Sequence, residues 1–291
     1  MPRLRAWLLL APALVVVAGT AAYPLAFSLL TSFRDWRLMD SPVPGPFTGL
    51  ENYAGALDDP DFWSSLRVTG AFVLLDVTAT VLAALGLALL LRGPGRAKAV
   101  LRVLLIVPFA TNPALIGISW RFMFNPEFGA FKRVADTVLP FLRQVSWLAD
   151  PTLSMVALIS ADLWHWAPYF AFMLMGALAG VPPETLEAAR IDGAGEATVF
   201  RRITGPQIAP VLAVAVVLKT VFALKAFDTI VTMTNGGPGR ATTTLAFFAY
   251  QVGFRDYDMG YASAVSYVLT AVLLVLSFFY MRLLFRGTAR A

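Results

Sequence analysis

Several ionisable side chains lie inside otherwise apolar stretches of the sequence, where a charge is costly and marks a functional or structural site. Lys219 falls near the middle of one such stretch and needs a partner, and Asp76, at a similar depth in another, is the first candidate. We therefore predict a Lys219–Asp76 ion pair. Lys225 and Asp228 are three residues apart, so they would share a helix face and could pair. The ionisable candidates are Asp76, Asp162, His165, Lys219, Lys225 and Asp228.

The chemistry of these residues has two interpretations. They could pair to hold helices in register, or they could line a water-filled path that passes a hydroxylated solute. The aromatic residues Trp164, Trp166 and Tyr169 raise the same choice, because aromatic rings stack on sugar faces but tryptophans near span ends are commonly interfacial anchors. With one histidine and no cysteine in the chain, no metal site is predicted, and His165 is not expected to be a metal ligand.

The elements that position these residues are predicted to be membrane-spanning helices. The 291 residues are 58% hydrophobic and only 14% charged, and the mean hydropathy is +0.70. The apolar residues form runs of about twenty, the length that crosses a hydrocarbon core of ~30 Å. The sequence therefore predicts an all-α polytopic membrane protein with six spans, at residues 7–30, 68–91, 100–123, 153–178, 208–231 and 262–285. We expect a kink in the third span, at Pro108 and Asn112-Pro113.

The distribution of basic residues predicts the orientation and the domains. The first span is longer than the apolar core of a signal peptide, so we expect it to be retained. Lys and Arg near the span ends are more frequent on the side that holds both termini, which places both termini in the cytoplasm. The predicted organisation is an N-terminal transmembrane helix at 1–33, an extracytoplasmic loop at 34–67, and a five-helix core at 68–291 with a cytoplasmic loop at 181–207.

That cytoplasmic loop is a polar segment between two apolar spans. Pro182-Pro183 can begin a short helix that carries Glu184 and Glu187 near its positive end, and Gly193 is predicted to end it. A second helix is predicted to start near Gly195, to bury Val199, Phe200 and Ile203, and to end at Gly205-Pro206. Small residues leave the backbone accessible to a partner, so the segment could dock in a groove. The alternative is an amphipathic loop that rests on lipid headgroups.

The same segment resembles the EAA loop of the permeases of ABC importers. The resemblance rests on Glu187-Ala188-Ala189, Asp192-Gly193-Ala194, Ile203 and Pro206, with Gly205 in a position where leucine is usual. It implies a coupling helix that docks on a separate nucleotide-binding ATPase subunit.

Further motifs extend the resemblance over nearly the whole chain. GLENY at 49–53, FNPEFG at 124–129, TNGGPGRATTT at 234–244 and GYASAVS at 260–266 are similar to the first permease of maltose and glycerol-phosphate type systems, although Lys132 falls where asparagine is common. The resemblance implies the type I ABC-importer permease fold in the cell membrane. It also implies a heterodimer with a second permease, two copies of the ATPase subunit, and an extracytoplasmic solute-binding protein. A sugar, a disaccharide, a polyol and glycerol phosphate all fit as the solute.

The chain lacks the residues of an enzyme. No P-loop pattern occurs, because neither GPGRAKAV nor GGPGRATTT places Lys-Ser/Thr after its last glycine. A membrane enzyme would need a clustered catalytic set, and one histidine with scattered carboxylates does not supply it. We expect no cofactor and no nucleic-acid partner, with ATP hydrolysis in the partner subunit. The alternative is an ion-coupled secondary carrier for a small polar solute, working through Asp76, Asp162 or Lys219.

Overall fold

A computed structural model describes residues 2–138 and 146–288. The described residues form helices, turns and isolated bridges, with no β-strand among them. The chain begins with α1 (Pro2–Val17), which continues through a π-helical turn (Ala18–Ala22) into α2 (Tyr23–Thr31). The elements that follow are α3 (Glu51–Asp58), α4 (Pro60–Leu91), α5 (Arg96–Leu104), α6 (Ile106–Ala110), α7 (Pro113–Met123) and α8 (Ala130–Val138).

The second half of the chain contains the longest uninterrupted helices after α4. Its elements are α9 (Pro151–Ala179), α10 (Pro183–Ile191), α11 (Glu196–Val199), a π-helical turn (Phe200–Thr204), α12 (Gly205–Leu224), α13 (Asp228–Met233), α14 (Leu245–Phe254) and α15 (Met259–Thr288). The last residues of the predicted core, 289–291, lie outside the described part of the chain, as do 139–145.

Four helical stretches of the described residues are long and apolar enough to cross a membrane: Leu10–Thr31, Pro60–Leu91, Glu196–Leu224 and Met259–Tyr280. A fifth is possible if Arg96–Ala110 and Pro113–Met123 form one span, although they meet at 100°. The kink expected in the third span is thus present as a sharp turn between the two helices. It falls at Asn112, whose side chain caps α7. The remaining predicted span coincides with the 29-residue α9, long enough at ~1.5 Å per residue to cross a bilayer.

The chain divides into two compact units. The first comprises Met1–Ser64 and Phe248–Val272. Within it, the GLENY motif ties the loop that follows α2 to the end of that helix. The Asn52 side chain donates to the carbonyl oxygens of Ser32 and Arg34, at 3.0 and 2.9 Å, and Tyr53 bonds the Ser32 hydroxyl. Gly260 of the GYASAVS motif allows the backbone of Arg34 to lie close to it, because a Cβ at this glycine would lie 2.3 Å from the Arg34 carbonyl oxygen.

The second unit comprises Ser65–Phe247 and Leu273–Ala291, and it holds the polar residues of the predicted site. Small side chains bring its helices together: Ala84 and Ala88 of α4 pack with Ala171 of α9 and Ala215 of α12, around Phe170 and Leu174. Small residues at such contacts are typical of helix packing in membranes. Gly117 of α7 extends this pattern, since a Cβ there would lie 1.9 Å from the Thr232 hydroxyl oxygen of α13.

The TNGGPGRATTT motif forms a tightly bonded turn in the second unit. The Thr242 hydroxyl lies 2.8 Å from the Gly237 carbonyl oxygen and 2.7 Å from the Thr234 hydroxyl, and the Thr243 hydroxyl bonds the Gly236 carbonyl. The backbone N–H of Leu245 donates to the Thr69 hydroxyl of α4 at 2.7 Å. These threonines thus satisfy their hydroxyls internally, which allows Thr242, Thr243 and Thr244 to be buried.

Candidate functional site

A buried ionic cluster joins three helices of the second unit. Nζ of Lys219 on α12 lies 2.5 Å from Oδ2 of Asp76 on α4, the pair expected from the sequence. The same ammonium also contacts the carboxylate of Asp162 on α9, a second partner that the sequence analysis did not assign. Thr80, one turn along from Asp76, donates its hydroxyl to Oδ1 of that carboxylate at 3.3 Å. Hereafter Asp76, Asp162 and Lys219 are called the ionic cluster.

Asp162 also faces a cavity of about 180 Å³ beside the ionic cluster. His165, Trp166, Lys225 and Asp228 line the same cavity, together with Pro113, Phe222, Ala226, Phe227 and Thr229. Its wall thus combines charged groups of both signs with aromatic rings. That composition suits a small polar solute with apolar faces. We call this space the polar cavity.

His165 is held in place by the broken third span. Its Nδ1 donates to the carbonyl oxygen of Pro108 at 2.9 Å, and the side chain is buried. Among the described residues, no group of three or more potential ligands could hold a metal ion. His165 therefore serves as a hydrogen-bonding group between α9 and α6.

Lys225 and Asp228 do not share a helix face, and that prediction is wrong. α12 ends at Leu224, Lys225 is its C-cap, and Asp228 begins α13. Phe227, with φ −139° and ψ −57°, turns the chain between them. Within the described chain, no ion pair joins the two side chains, and both are exposed at the polar cavity.

Of the three aromatic candidates, only Trp166 lines the polar cavity. Trp166 lines the polar cavity and stacks on Phe222 of α12, with ring centroids 4.4 Å apart. Tyr169 stacks instead on Phe109 at 5.2 Å. Trp164 lies in a different cavity, of about 190 Å³, against Trp120. Phe222 was missed by the sequence analysis, although it lies three residues after Lys219 on the same helix.

The polar segment between α9 and α12 forms the two short helices that the sequence predicts. α10 ends at Ile191 with Asp192 as its C-cap, and Gly193 follows with φ +78°, a conformation that glycine adopts without strain. The Ala194 N–H then donates to the Ala189 carbonyl at 2.9 Å. α10 has no buried residue, and Ile191, the last residue of this helix, is 86% exposed. The sequence could have indicated this exposed residue, because a large apolar side chain stands out in a polar segment rich in alanine and glycine.

The second short helix does not end at Gly205-Pro206, contrary to the prediction. It passes through the π-helical turn Phe200–Thr204 into α12, so one helical stretch runs from Glu196 to Leu224. Pro206 directly follows the π-helical turn, in which the Gly205 N–H donates to the Phe200 carbonyl, and this turn accommodates a residue without an N–H. Val199 is buried as expected, whereas Phe200 and Ile203 are only partly buried. A Cβ at Gly205 would lie 2.9 Å from the Phe200 carbonyl oxygen, which favours glycine over the usual leucine.

Curated relatives match almost the full length of the chain. The sulfoquinovosyl glycerol transport system permease protein SmoG of Agrobacterium fabrum is 34% identical over 282 residues, covering 97% of this chain and 91% of that protein. The trehalose/maltose transport system permease protein MalF of Thermococcus litoralis is 36% identical over 233 residues, covering 80% and 77%. The sn-glycerol-3-phosphate transport system permease protein UgpA of Agrobacterium fabrum is 33% identical, covering 95% and 93%.

Solved structures match the fold over a similar length. A chain of a bacterial ABC transporter involved in the import of the acidic polysaccharide alginate superposes with a TM-score of 0.81 at 20% identity, covering 97% of this chain and 96% of that one. The type I permease fold expected from the sequence is therefore confirmed. The protein-family model described as "Binding-protein-dependent transport system inner membrane component" matches residues 77–290 of this chain. The chain thus belongs to this family of binding-protein-dependent inner membrane transport components, and it is a multi-pass inner-membrane protein.

Proposed function

We propose that this chain is the permease subunit of an ATP-driven carbohydrate importer and forms half of its translocation path. The observation that carries the proposal is the exposed α10–Gly193–α11 segment at the end of α9. It offers a helix with no buried residue, and the chain has no P-loop of its own. The family also favours this function over an ion-coupled secondary carrier.

The coupling surface comprises the exposed face of α10 and the turn that follows it. Ile191 projects from a surface of small side chains, so a groove on the ATPase subunit could take it as an apolar anchor. Glu187, Asp192 and Glu196 surround it with charge, and Glu196 is itself held 2.8 Å from Arg190. Together with Ile191, we assign to this surface Glu187, Ala188, Ala189, Asp192, Gly193 and Ala194, and we extend it to Ile203 in the π-helical turn and Pro206 at the start of α12.

The partners follow from the relatives. The relatives' names describe sugar and glycerol-phosphate permeases, and one related structure is an alginate transporter in complex with an alginate pentasaccharide-bound periplasmic protein. By analogy, we assign this chain a second permease, two ATPase subunits and an extracytoplasmic solute-binding protein. The solute class is carbohydrate or polyol, which the polar cavity would contact through Asp162, Trp166 and Asp228.

We propose that both termini lie in the cytoplasm. The basic residues near helix ends support this orientation, because Arg92, Arg96, Lys98 and Arg102 lie at the same end of the spans as the α10 segment. That end would then face the ATPase. Arg3 and Arg290, near the two termini, are among the basic residues that the sequence predicts on this side of the membrane. Arg290 lies outside the described residues.

The proposal is tested by co-purifying the tagged full chain with candidate ATPase subunits of ABC importers. We expect Ile191→Asp to reduce the recovered ATPase at least tenfold, while the amount of permease in the membrane fraction is unchanged. Leu50→Asp is the matched control, since Leu50 is also an exposed apolar residue, at 67%, but lies outside the coupling surface. Equal recovery with both variants, or carbohydrate uptake by vesicles of the purified chain without ATP, would refute the proposal.

A further inference from the structure

A third and larger cavity lies beside α5, at the end of the spans where the α10 segment begins. Its volume is about 720 Å³. Its lining includes the cations Arg92, Lys98 and Arg102 and the apolar side chains Phe172, Met175 and Leu178 of α9. We call this space the basic cavity. It lies entirely within the second unit and is separate from the polar cavity.

Two of the three cations of the basic cavity, Lys98 and Arg102, have neutral partners. Lys98 Nζ donates to the Arg92 carbonyl at 2.7 Å, and the Arg102 guanidinium donates to the carbonyls of Leu91 and Gly93. These bonds cap the carbonyl end of α4 and fix the position of the two side chains without neutralising their charge.

One carboxylate approaches this set of charges. Glu196 lies 3.7 Å from Arg92, but it also pairs with Arg190 at 2.8 Å. No other carboxylate among the described residues lies within 4.0 Å of Arg92, Lys98 or Arg102. A positive excess therefore remains beside an apolar wall, and it favours the binding of an anion from outside the chain.

The apolar surface around the cavity indicates what kind of anion fits. α5 has no buried residue, and its apolar side chains Val100, Leu101, Val103 and Leu104 are all exposed. Lys98 and Arg102, four residues apart, lie together on the opposite face. A basic helix with one exposed apolar face is typical of a membrane interface. A free phosphate would leave the wall of Phe172 and Met175 in water, whereas an acyl chain would cover it.

We propose that the basic cavity binds an anionic phospholipid. The headgroup phosphate is held by Arg92, Lys98 and Arg102, and the start of an acyl chain lies along Phe172, Met175 and Leu178. Leu186 of α10 also lines the cavity, so the bound lipid touches the helix that we assign to ATPase coupling. The lipid site does not depend on that assignment, since its cations lie just after α4 and on α5, and its apolar wall belongs to α9.

The test measures lipid binding to the full chain, delipidated in detergent, by native mass spectrometry. Phosphatidylglycerol is compared with phosphatidylcholine of the same acyl chains, and inorganic phosphate and glycerol phosphate are added as competitors. We expect phosphatidylglycerol to bind more tightly. We expect Arg92→Gln to weaken it about fivefold, equivalent to about 1 kcal/mol for one basic residue near an anionic lipid. Arg96→Gln is the matched control, because Arg96 is on α5 but does not line the cavity.

A Met175→Trp variant separates the two parts of the site, since it fills the apolar wall and leaves every cation in place. The proposal predicts that it also weakens phosphatidylglycerol binding. Equal binding of the two lipids, or equal effects of Arg92→Gln and Arg96→Gln, would overturn the proposal. Displacement of the lipid by millimolar inorganic phosphate would overturn it too, and would identify a free anion as the occupant.

Discussion

The ammonium nitrogen of Lys219 lies 2.5 Å from a carboxylate oxygen of Asp76, and both side chains have 0% exposure. Asp162 approaches the same ammonium from a third helix. A buried charge is tolerated only when it is paired, so each of α4, α9 and α12 depends on the other two for its register. Because Asp162 also lines the polar cavity, the ionic cluster fixes one wall of the proposed solute path.

We expect Lys219→Met to destabilise the chain by about 3–5 kcal/mol, because it leaves two carboxylates buried side by side without a cation. Asp76→Asn should cost less, since the Lys219–Asp162 contact survives. Lys225→Met is the control, because Lys225 is an exposed lysine six residues further along. Thermal unfolding in detergent, followed by tryptophan fluorescence, measures the effect. Equal midpoints for Lys219→Met and Lys225→Met would contradict the structural role of the cluster.

Gly117→Ala is expected to separate α7 from α13 and to cost about 1–3 kcal/mol, because the new Cβ would lie 1.9 Å from the Thr232 hydroxyl oxygen. Adding Thr232→Ala to this variant should restore part of the loss, since it removes the clashing oxygen. Gly86→Ala serves as the control: nothing lies within 4 Å of a Cβ there. The same unfolding measurement applies. A double variant no more stable than Gly117→Ala alone would argue against this contact.

Gly205→Leu introduces the residue that is usual in the family's loop, yet we expect it to destabilise this chain by about 1–3 kcal/mol. Its Cβ would lie 2.9 Å from the Phe200 carbonyl oxygen, which forces the π-helical turn to rearrange. Hydrogen exchange of the segment 200–208 should therefore accelerate. Gly195→Ala, at a position with open space around its Cβ, should leave this exchange unchanged. Equal exchange in both variants would rule out the strain.

Trp166→Leu and Trp164→Leu distinguish the two aromatic sites. Under the proposed function, Trp166 contacts the solute in the polar cavity, so its loss should lower ATP-driven carbohydrate uptake about three- to tenfold. Trp164 lies in the other cavity, and its loss should change uptake less than about twofold. Uptake is measured in proteoliposomes of the assembled importer at matched protein levels. A larger effect at Trp164 would place the path elsewhere.

Much of this architecture was predictable from the sequence because it depends on local properties. The depth of Lys219 and Asp76 in their apolar runs was enough to suggest a pair, and the left-handed turn at Gly193 was evident from glycine alone. Asp162 was missed as the second partner, because hydropathy gives the depth of a residue but not which helices are neighbours. The break after Leu224 was missed because no glycine or proline marks it. It depends on tertiary contacts, such as the fit of Gly117 against α13.

The unbroken helical stretch from Glu196 to Leu224 has a mechanical consequence. Lys219 lies 23 residues beyond Glu196, about 35 Å away at ~1.5 Å per residue. Because this stretch stays helical through its π-helical turn and through Pro210, it can act as a lever arm. A tilt imposed at the exposed α10–α11 end would reach the ionic cluster as a lateral displacement, and the same displacement would bear on Asp162 in the wall of the polar cavity.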